Sequence, residues 1–200
     1  MEVEAGTYRN KTAKVIIRPV SAAAYRFQMY PYGEEPAAAN EVISMEQTVP
    51  YQVEETEEYL SVRTLRMEIR IKKLPWEVST YLDGRLLTKE QIRDSNVDNM
   101  CKYLPIGFDC DEEGKVIRVR ESMYMYSDEA FYGFGEKFTE FNKRGQKIHC
   151  WQKDALSTNT EDSYKNHPYF MSSRGYSVLV NCYTLSLIHI SEPTRRVVIS

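Results

Sequence analysis

Between positions 65 and 72 the chain reads Leu65-Arg66-Met67-Glu68-Ile69-Arg70-Ile71-Lys72, a strict alternation of apolar and charged side chains. Successive side chains of a strand point to opposite faces, so this run fits a strand with one dry and one wet face and does not fit a helix. Trp76-Glu77-Val78-Ser79-Thr80-Tyr81-Leu82 repeats the pattern. Asp83-Gly84 follows, a pair that tolerates positive φ, and then Arg85-Leu86-Leu87, which together predict a tight hairpin. Val116-Ile117-Arg118-Val119-Arg120 follows the acidic turn Asp111-Glu112-Glu113-Gly114, and residues 14–18, 25–30 and 176–180 are further strand candidates rich in β-branched and aromatic side chains. The one helical stretch expected is 88–97, where Thr88 is a capping residue with Gln91 three positions on, although no apolar stripe supports it. Many short strands separated by Gly, Pro and Asp turns predict an all-β fold, an antiparallel β-sandwich with few short helices.

Bulk properties exclude several classes. A (β/α)₈ barrel needs roughly 250 residues, more than the 200 present. The net charge of −3 gives no electrostatic footprint for nucleic acid. Aliphatic runs are a few residues long, short of the roughly 20 needed to span a bilayer, so no membrane partner is expected. The opening Met1-Glu2-Val3-Glu4 is acidic where a secretory leader is basic. Cys101, Cys110, Cys150 and Cys182 lack CxxC spacing and read as reduced thiols of a cytoplasmic protein.

Most chemistry-bearing patterns fail on inspection. Gly133-Phe134-Gly135-Glu136-Lys137-Phe138 begins like a dinucleotide fingerprint, but Phe138 stands where the third glycine belongs and no βαβ pattern surrounds it. Its glycines read instead as permitting tight backbone bends. His149, Cys150, His167 and Cys182 have spacings that fit no closed zinc site, so no metal and no cofactor are expected. A Cys150/His167 nucleophile pair is outweighed by the common case of a free cysteine packing as a small hydrophobe. The acidic run Glu54-Glu55-Thr56-Glu57-Glu58 reads as a solvated turn, and residues 31–40 as a solvated connection. Fifteen tyrosines suit a half-buried pleated surface without invoking sugar. Residues 146–168 differ: polar side chains are interleaved with Trp151, Tyr164 and His167 over a stretch without strand pattern, and loops that long are commonly functional.

From Phe131 onward the residues resemble the N-terminal β-sandwich of glycoside hydrolase family 31. The resemblance is carried by Phe131-Tyr132-Gly133-Phe134-Gly135-Glu136-Lys137-Phe138, Arg144-Gly145-Gln146, Trp151-Gln152-Lys153-Asp154, Ser163-Tyr164-Lys165-Asn166-His167-Pro168-Tyr169-Phe170-Met171 and Arg174-Gly175-Tyr176-Ser177-Val178-Leu179-Val180-Asn181. It is most similar to the bacterial α-xylosidase branch and is weaker over 51–125. It implies a galactose mutarotase-like supersandwich and a parent enzyme that cleaves α-xylosides or α-glucosides with a retaining pair of aspartates. That pair belongs to a catalytic barrel of the same polypeptide, beyond these residues. The implied substrate is an oligosaccharide or α-glycoside bound through the full-length enzyme, and because relatives often associate, a homo-oligomer is one expected arrangement. The sandwich is implied to lend a loop over the barrel mouth, with no catalytic residue of its own. The loop's family element is Asn-Arg-Asp; here Gln152-Lys153-Asp154 stands in its place, so Asp154 is the implied substrate-binding carboxylate, accepting hydrogen bonds from sugar hydroxyls. Ala155-Leu156 replace glycines typical of related α-xylosidases. Trp151 and Tyr164 are weaker substrate-binding candidates: Trp151 is expected to anchor the loop into the sandwich, and Tyr164 with Asn166 to hold its return path.

The end of the chain reads differently. Leu185-Ser186-Leu187-Ile188-His189-Ile190-Ser191-Glu192-Pro193-Thr194-Arg195 resembles a translated transposase sequencing adapter, the alternative being an apolar strand and a Ser-Glu-Pro turn. The expected division is therefore 1–184 as the sandwich and 185–200 as a non-native tail, with Met1 an internal methionine of a longer gene. Two other readings compete with a glycosidase sandwich that is inactive alone. One is a stand-alone carbohydrate-binding module. The other is an epimerase, for which only the loop residues His149 and His167 offer acid and base.

Overall fold

The computed structural model describes residues 2–8, 11–31, 49–91, 93–94, 102–154, 158, 162–181, 186–191 and 196–199. Among them the chain is all-β, with antiparallel ladders and no α-helix. It divides into two compact units: Met1–Ala39, Ile43–Lys89 and Phe108–Arg118 form the first, and Asn40–Val42, Glu90–Gly107 and Val119–Ser200 the second.

In the first unit, β1 (Glu2–Tyr8), β2 (Lys11–Ser21) and β3 (Ala24–Tyr30) make one sheet. A five-stranded meander runs in order through β4 (Gln52–Glu55), β5 (Tyr59–Arg63), β6 (Met67–Lys72), β7 (Glu77–Leu82) and β8 (Arg85–Lys89). The alternation in the sequence becomes the alternation of the sheet: Met67, Ile69 and Ile71 are buried while Glu68, Arg70 and Lys72 lie on the other face. Val62, Val78 and Leu87 complete this dry face. Ala13, Val15, Ile16, Ile17 and Val20 are buried in the β1–β3 sheet. The two sheets meet where the Tyr25 hydroxyl lies 2.9 Å from that of Thr80, and where the Thr64 hydroxyl donates to the Ala22 carbonyl at 2.7 Å.

Three expectations need correction here. Leu65 is 91% exposed, because the Thr64 amide already closes a turn onto the Met67 carbonyl and the strand begins at Met67. The 88–97 stretch is not a helix where described: Thr88 and Lys89 end β8, and Arg93–Asp94 (β9) pairs with Lys102–Tyr103 (β10). Leu87 and Thr88 are both buried, so sheet packing overrides a cap that had no apolar stripe behind it. The acidic run is only partly a turn, since Glu54 and Glu55 belong to the exposed strand β4 and only Glu57 and Glu58 bend. The Asp83-Gly84 hairpin is as expected, with φ of 48° and 79° at its two central residues and Leu82 facing Arg85. Of the 31–40 connection, residues 32–40 lie outside the described residues.

The remaining strands are β11 (Ile106–Cys110), β12 (Val116–Tyr124), β13 (Phe131–Gly135), β14 (Lys147–Cys150), β15 (Asn166–Ser172), β16 (Ser177–Leu179), β17 (Ser186–Ser191) and β18 (Arg196–Ile199). They form two sheets, β11-β12-β18-β17-β14 and β13-β15-β16. The second unit's core comprises Met123, Met125, Phe131, Phe134, Ile148, Phe170, Ile188 and Ile190. Phe134 stacks on Phe170 with centroids 5.5 Å apart, and Phe131 meets the same ring edge-on at 5.8 Å. Beside this core Glu129, only 1% exposed, accepts hydrogen bonds from the Ser172 hydroxyl and the Tyr126 amide. Its satisfied oxygens tie the turn before β13 to the end of β15.

Candidate functional site

The chain between β14 and β15 is the long polar stretch singled out in the sequence, and its stems are strands. Lys147–Cys150 pairs with Ser186–His189, and only Ile148 of the four is fully buried, so so short a run shows no legible period on its own. At the other end Asn166 and Pro168 already belong to β15. The loop proper is therefore 151–165, shorter than the 146–168 expected, and 155–157 and 159–161 lie outside the described residues.

Its base is set by a mismatch between neighbouring strands. Gly133 faces Phe170 and Gly135 faces Asn166, so the single residue Phe134 on β13 lies against His167, Pro168 and Tyr169 on β15. Such bulges bend a strand and re-aim its side chains, and one here accommodates a proline that has no ladder donor to give. Gly135 (φ 80°) sits so close to the loop stem that a Cβ would strike the Lys165 carbonyl oxygen and lie 3.1 Å from the His167 nitrogen. That proximity lets the Glu136 amide donate to the Lys165 carbonyl at 2.8 Å.

Above the bulge, Asn166 is 7% exposed and its amide group donates twice, to the Trp151 carbonyl at 2.8 Å and to the Ser163 carbonyl at 2.7 Å. One side chain thus ties the outgoing and returning stems together. The Lys153 amide adds a third tie to the Ser163 carbonyl at 3.1 Å, and Gln152 bridges Ser163 as an isolated parallel pair. Higher still, Lys153 pairs with Asp162 at 2.9 Å, and the Tyr164 hydroxyl donates to Asp154 Oδ1. That bond, with some desolvation and the carboxylate's negative charge, holds the Tyr164 phenol above its ordinary value. The loop therefore presents one carboxylate and two aromatic rings, Trp151 and Tyr164, each 61% exposed.

Of the residues singled out in the sequence, Asp154 and Tyr164 are brought into direct contact. Trp151 shares their loop, but its exposed ring is no anchor; its backbone carbonyl is what Asn166 holds. Cys150 packs against the second unit's core, and its sulfur lies 3.9 Å from the His167 backbone oxygen. Cys101 and Cys182 lie outside the described residues. Among the described residues no three His, Cys, Asp or Glu side chains converge, and no helix is long and apolar enough to cross a membrane. Sequence reasoning missed the tie between Lys165 and the Gly135 bend, because glycine spacing does not reveal which backbone atom a glycine admits.

Residues 14–186 match the glycosyl hydrolase 31 N-terminal galactose mutarotase-like domain. The chain belongs to that family. This glycosyl hydrolase 31 N-terminal domain is 46% identical over 67 residues to α-xylosidase XylQ of Lactiplantibacillus pentosus, covering 34% of this chain and 9% of that protein. It is 30% identical over 173 residues to α-glucosidase 2 of Bacillus thermoamyloliquefaciens, covering 83% of this chain and 20% of that one. The cycloalternan-forming enzyme of Listeria monocytogenes, solved with a pentasaccharide substrate, superposes with a TM-score of 0.81 at 25% identity, over 99% of this chain and 18% of that one. The family 31 domain described here thus spans no more than about a fifth of the length of these relatives. Its all-β, antiparallel architecture is that of the galactose mutarotase-like β-sandwich class.

Proposed function

We propose that this domain serves a retaining α-glycosidase acting on α-xylosides or α-glucosides, and that its part is to hold Asp154 over the sugar site of a catalytic barrel that follows it. The observation that carries the reading is the exposed Asp154 carboxylate, presented on a loop whose stems are fastened by Asn166 in a family 31 N-terminal domain. The relatives named α-xylosidase and α-glucosidase support the substrate class. In this role Asp154 accepts hydrogen bonds from sugar hydroxyls, while nucleophile and acid/base are two carboxyls of the barrel, roughly 5–5.5 Å apart in retaining enzymes. The domain alone turns over no glycoside. The family match stops at residue 186, whereas β17 pairs with β14 and buries Ile188 and Ile190 in the second unit's core, so the division near Thr184 is left to the sequencing test below.

The test begins with a long DNA read across the Thr184 codon to recover the full-length enzyme. In that enzyme Asp154→Asn is expected to lower kcat/KM on p-nitrophenyl α-xyloside or α-glucoside by roughly 10- to 100-fold, the range for losing a hydrogen bond to a charged acceptor. An unchanged kcat/KM on both substrates would remove Asp154 from the site. Specific sugar binding by the 200-residue chain alone, with no barrel in the reading frame, would favour a stand-alone binding module instead.

A further inference from the structure

The loop is fastened in two tiers of unequal strength. The lower tier fixes backbone carbonyls: the Asn166 side-chain amide holds those of Trp151 and Ser163, and the Glu136 backbone amide holds that of Lys165. Both chain neighbours of Tyr164 are consequently pinned through their carbonyls, Ser163 by Asn166 and Lys165 by Glu136. The root of the Tyr164 side chain is fixed although its ring is exposed. The upper tier is side-chain contacts, the Lys153–Asp162 ion pair and the bond from the Tyr164 hydroxyl to Asp154 Oδ1, and only the latter engages Asp154. An exposed aspartate on a loop samples several χ1 and χ2 wells, and ordering it costs entropy each time a ligand binds. Tyrosine reaches far with only two torsions to fix, so it is a low-entropy donor for holding such a group. A carboxylate with Oδ1 engaged keeps the lone pairs of Oδ2 free for a second donor.

We propose that Tyr164 is a positioning residue for Asp154: its hydroxyl, held by the pinned stem 163–165, fixes Oδ1 so that Oδ2 is presented to a sugar hydroxyl. This rests on the reading that Asp154 binds sugar. It differs from the reading in which the Tyr164 ring itself stacks on a pyranose, because here the hydroxyl matters and the ring does not. The upward displacement of the Tyr164 phenol by Asp154 is the matching electrostatic signature.

Two measurements test it. In the 200-residue chain labelled with ¹³C at tyrosine Cζ, the Tyr164 resonance is assigned by its loss in Tyr164→Phe. Its titration midpoint is expected above 10.0, the ordinary tyrosine value, and is expected to fall in Asp154→Asn. A midpoint indifferent to Asp154→Asn would overturn the inference whatever the enzyme does. In the full-length enzyme, Tyr164→Phe is expected to raise KM for p-nitrophenyl α-xyloside roughly fivefold, the worth of about one neutral hydrogen bond, with little change in kcat. Combined with Asp154→Asn it should add no further loss. A Tyr164→Phe enzyme with unchanged KM beside an impaired Asp154→Asn enzyme would overturn the inference and leave the Asp154 reading standing, as would additive losses. Wild-type kinetics in Asp154→Asn would sink both, and the titration would still report whether the pair exists.

Discussion

In the meander from β4 to β8 strands meet residue for residue, apart from one slip between Thr80 and Tyr81, whereas in β13 and β15 one residue lies against three. The meander distributes its stability over many similar cross-strand pairs. Its dry face is a row of aliphatic side chains. On its wet face Glu68 accepts from Ser61, Arg63 and Arg70, and the Arg70 guanidinium lies 5.1 Å from both the Tyr59 and Tyr81 rings. The bulged sheet concentrates its geometry at a few atoms: the missing Cβ of Gly135, the amide group of Asn166 and the carbonyl of Lys165. A regular sheet tolerates the loss of any one exposed partner. A bulge that carries a loop does not.

The contrast is sharpest at two glycines with nearly the same φ, Gly84 (79°) and Gly135 (80°). A Cβ on Gly84 meets nothing within 4 Å, whereas one on Gly135 collides with the loop stem. Gly84→Ala should therefore cost only the left-handed backbone penalty of about 1–2 kcal/mol. Gly135→Ala should add a backbone clash and reach roughly 4 kcal/mol or more, with hydrogen-exchange protection lost first at 163–167. Equal losses in urea unfolding of the two variants would break the comparison.

A smaller effect separates the units by pH. Burial works to raise the Glu68 carboxyl, but hydrogen bonds from Arg70, Ser61 and Arg63 outweigh it and hold the group below its ordinary 4.5. Its stabilising contribution is complete above 4.5 and is lost as pH falls through the folded-state value. Glu121, half-buried in β12, is pushed by desolvation up to about 7. Its contribution is complete below 4.5 and is lost as pH rises through about 7. Amide protection in β5–β7 should therefore weaken on acidification, while protection around β12 weakens between pH 4.5 and 7 on the way up. Parallel pH profiles in the two regions would contradict this assignment.

The smallest expected effect is at Arg66, whose pair with Asp83 spans 2.5 Å between side chains that are each about half exposed. Arg66→Ala should leave the melting temperature within about a degree of the parent, because solvent screens exposed pairs and ordering long side chains costs entropy. A large drop would mean that the meander, too, hangs on single contacts.

The same contrast decides what the sequence makes legible. Met67 to Leu87 is readable by eye, since period-two alternation and an Asp-Gly turn are local signals that the folded sheet keeps. β14 is not readable, because Ile148 is its one fully buried side chain and pairing with a distant strand makes it a strand. The end of the Leu65 run is misread for a related reason, as the turn closed by Thr64 leaves no residue signature of its own. In the candidate site, Asp154 and Tyr164 are legible through family resemblance. Their contact is not, because ten residues separate them in the chain and the stems that carry them are tied together by the side-chain amide of Asn166. The buried amide of Asn166 looks, in sequence, like any loop asparagine.

The acidic strand β4 carries a further consequence. Among the described residues β4 has a strand neighbour only in β5, and all four of its residues are exposed. An edge with no further strand among the described residues is the usual template for fibrous aggregation. Glu54 and Glu55 stand on that edge, engaged from within the sheet by Arg63 at 2.8 Å and Lys73 at 2.7 Å. A second copy docking edge to edge would set its own pair of glutamates against these and would have to strip water from both rows. The run that reads in sequence as mere solvated charge thus stands on an edge strand, where charged side chains disfavour pairing with a further strand.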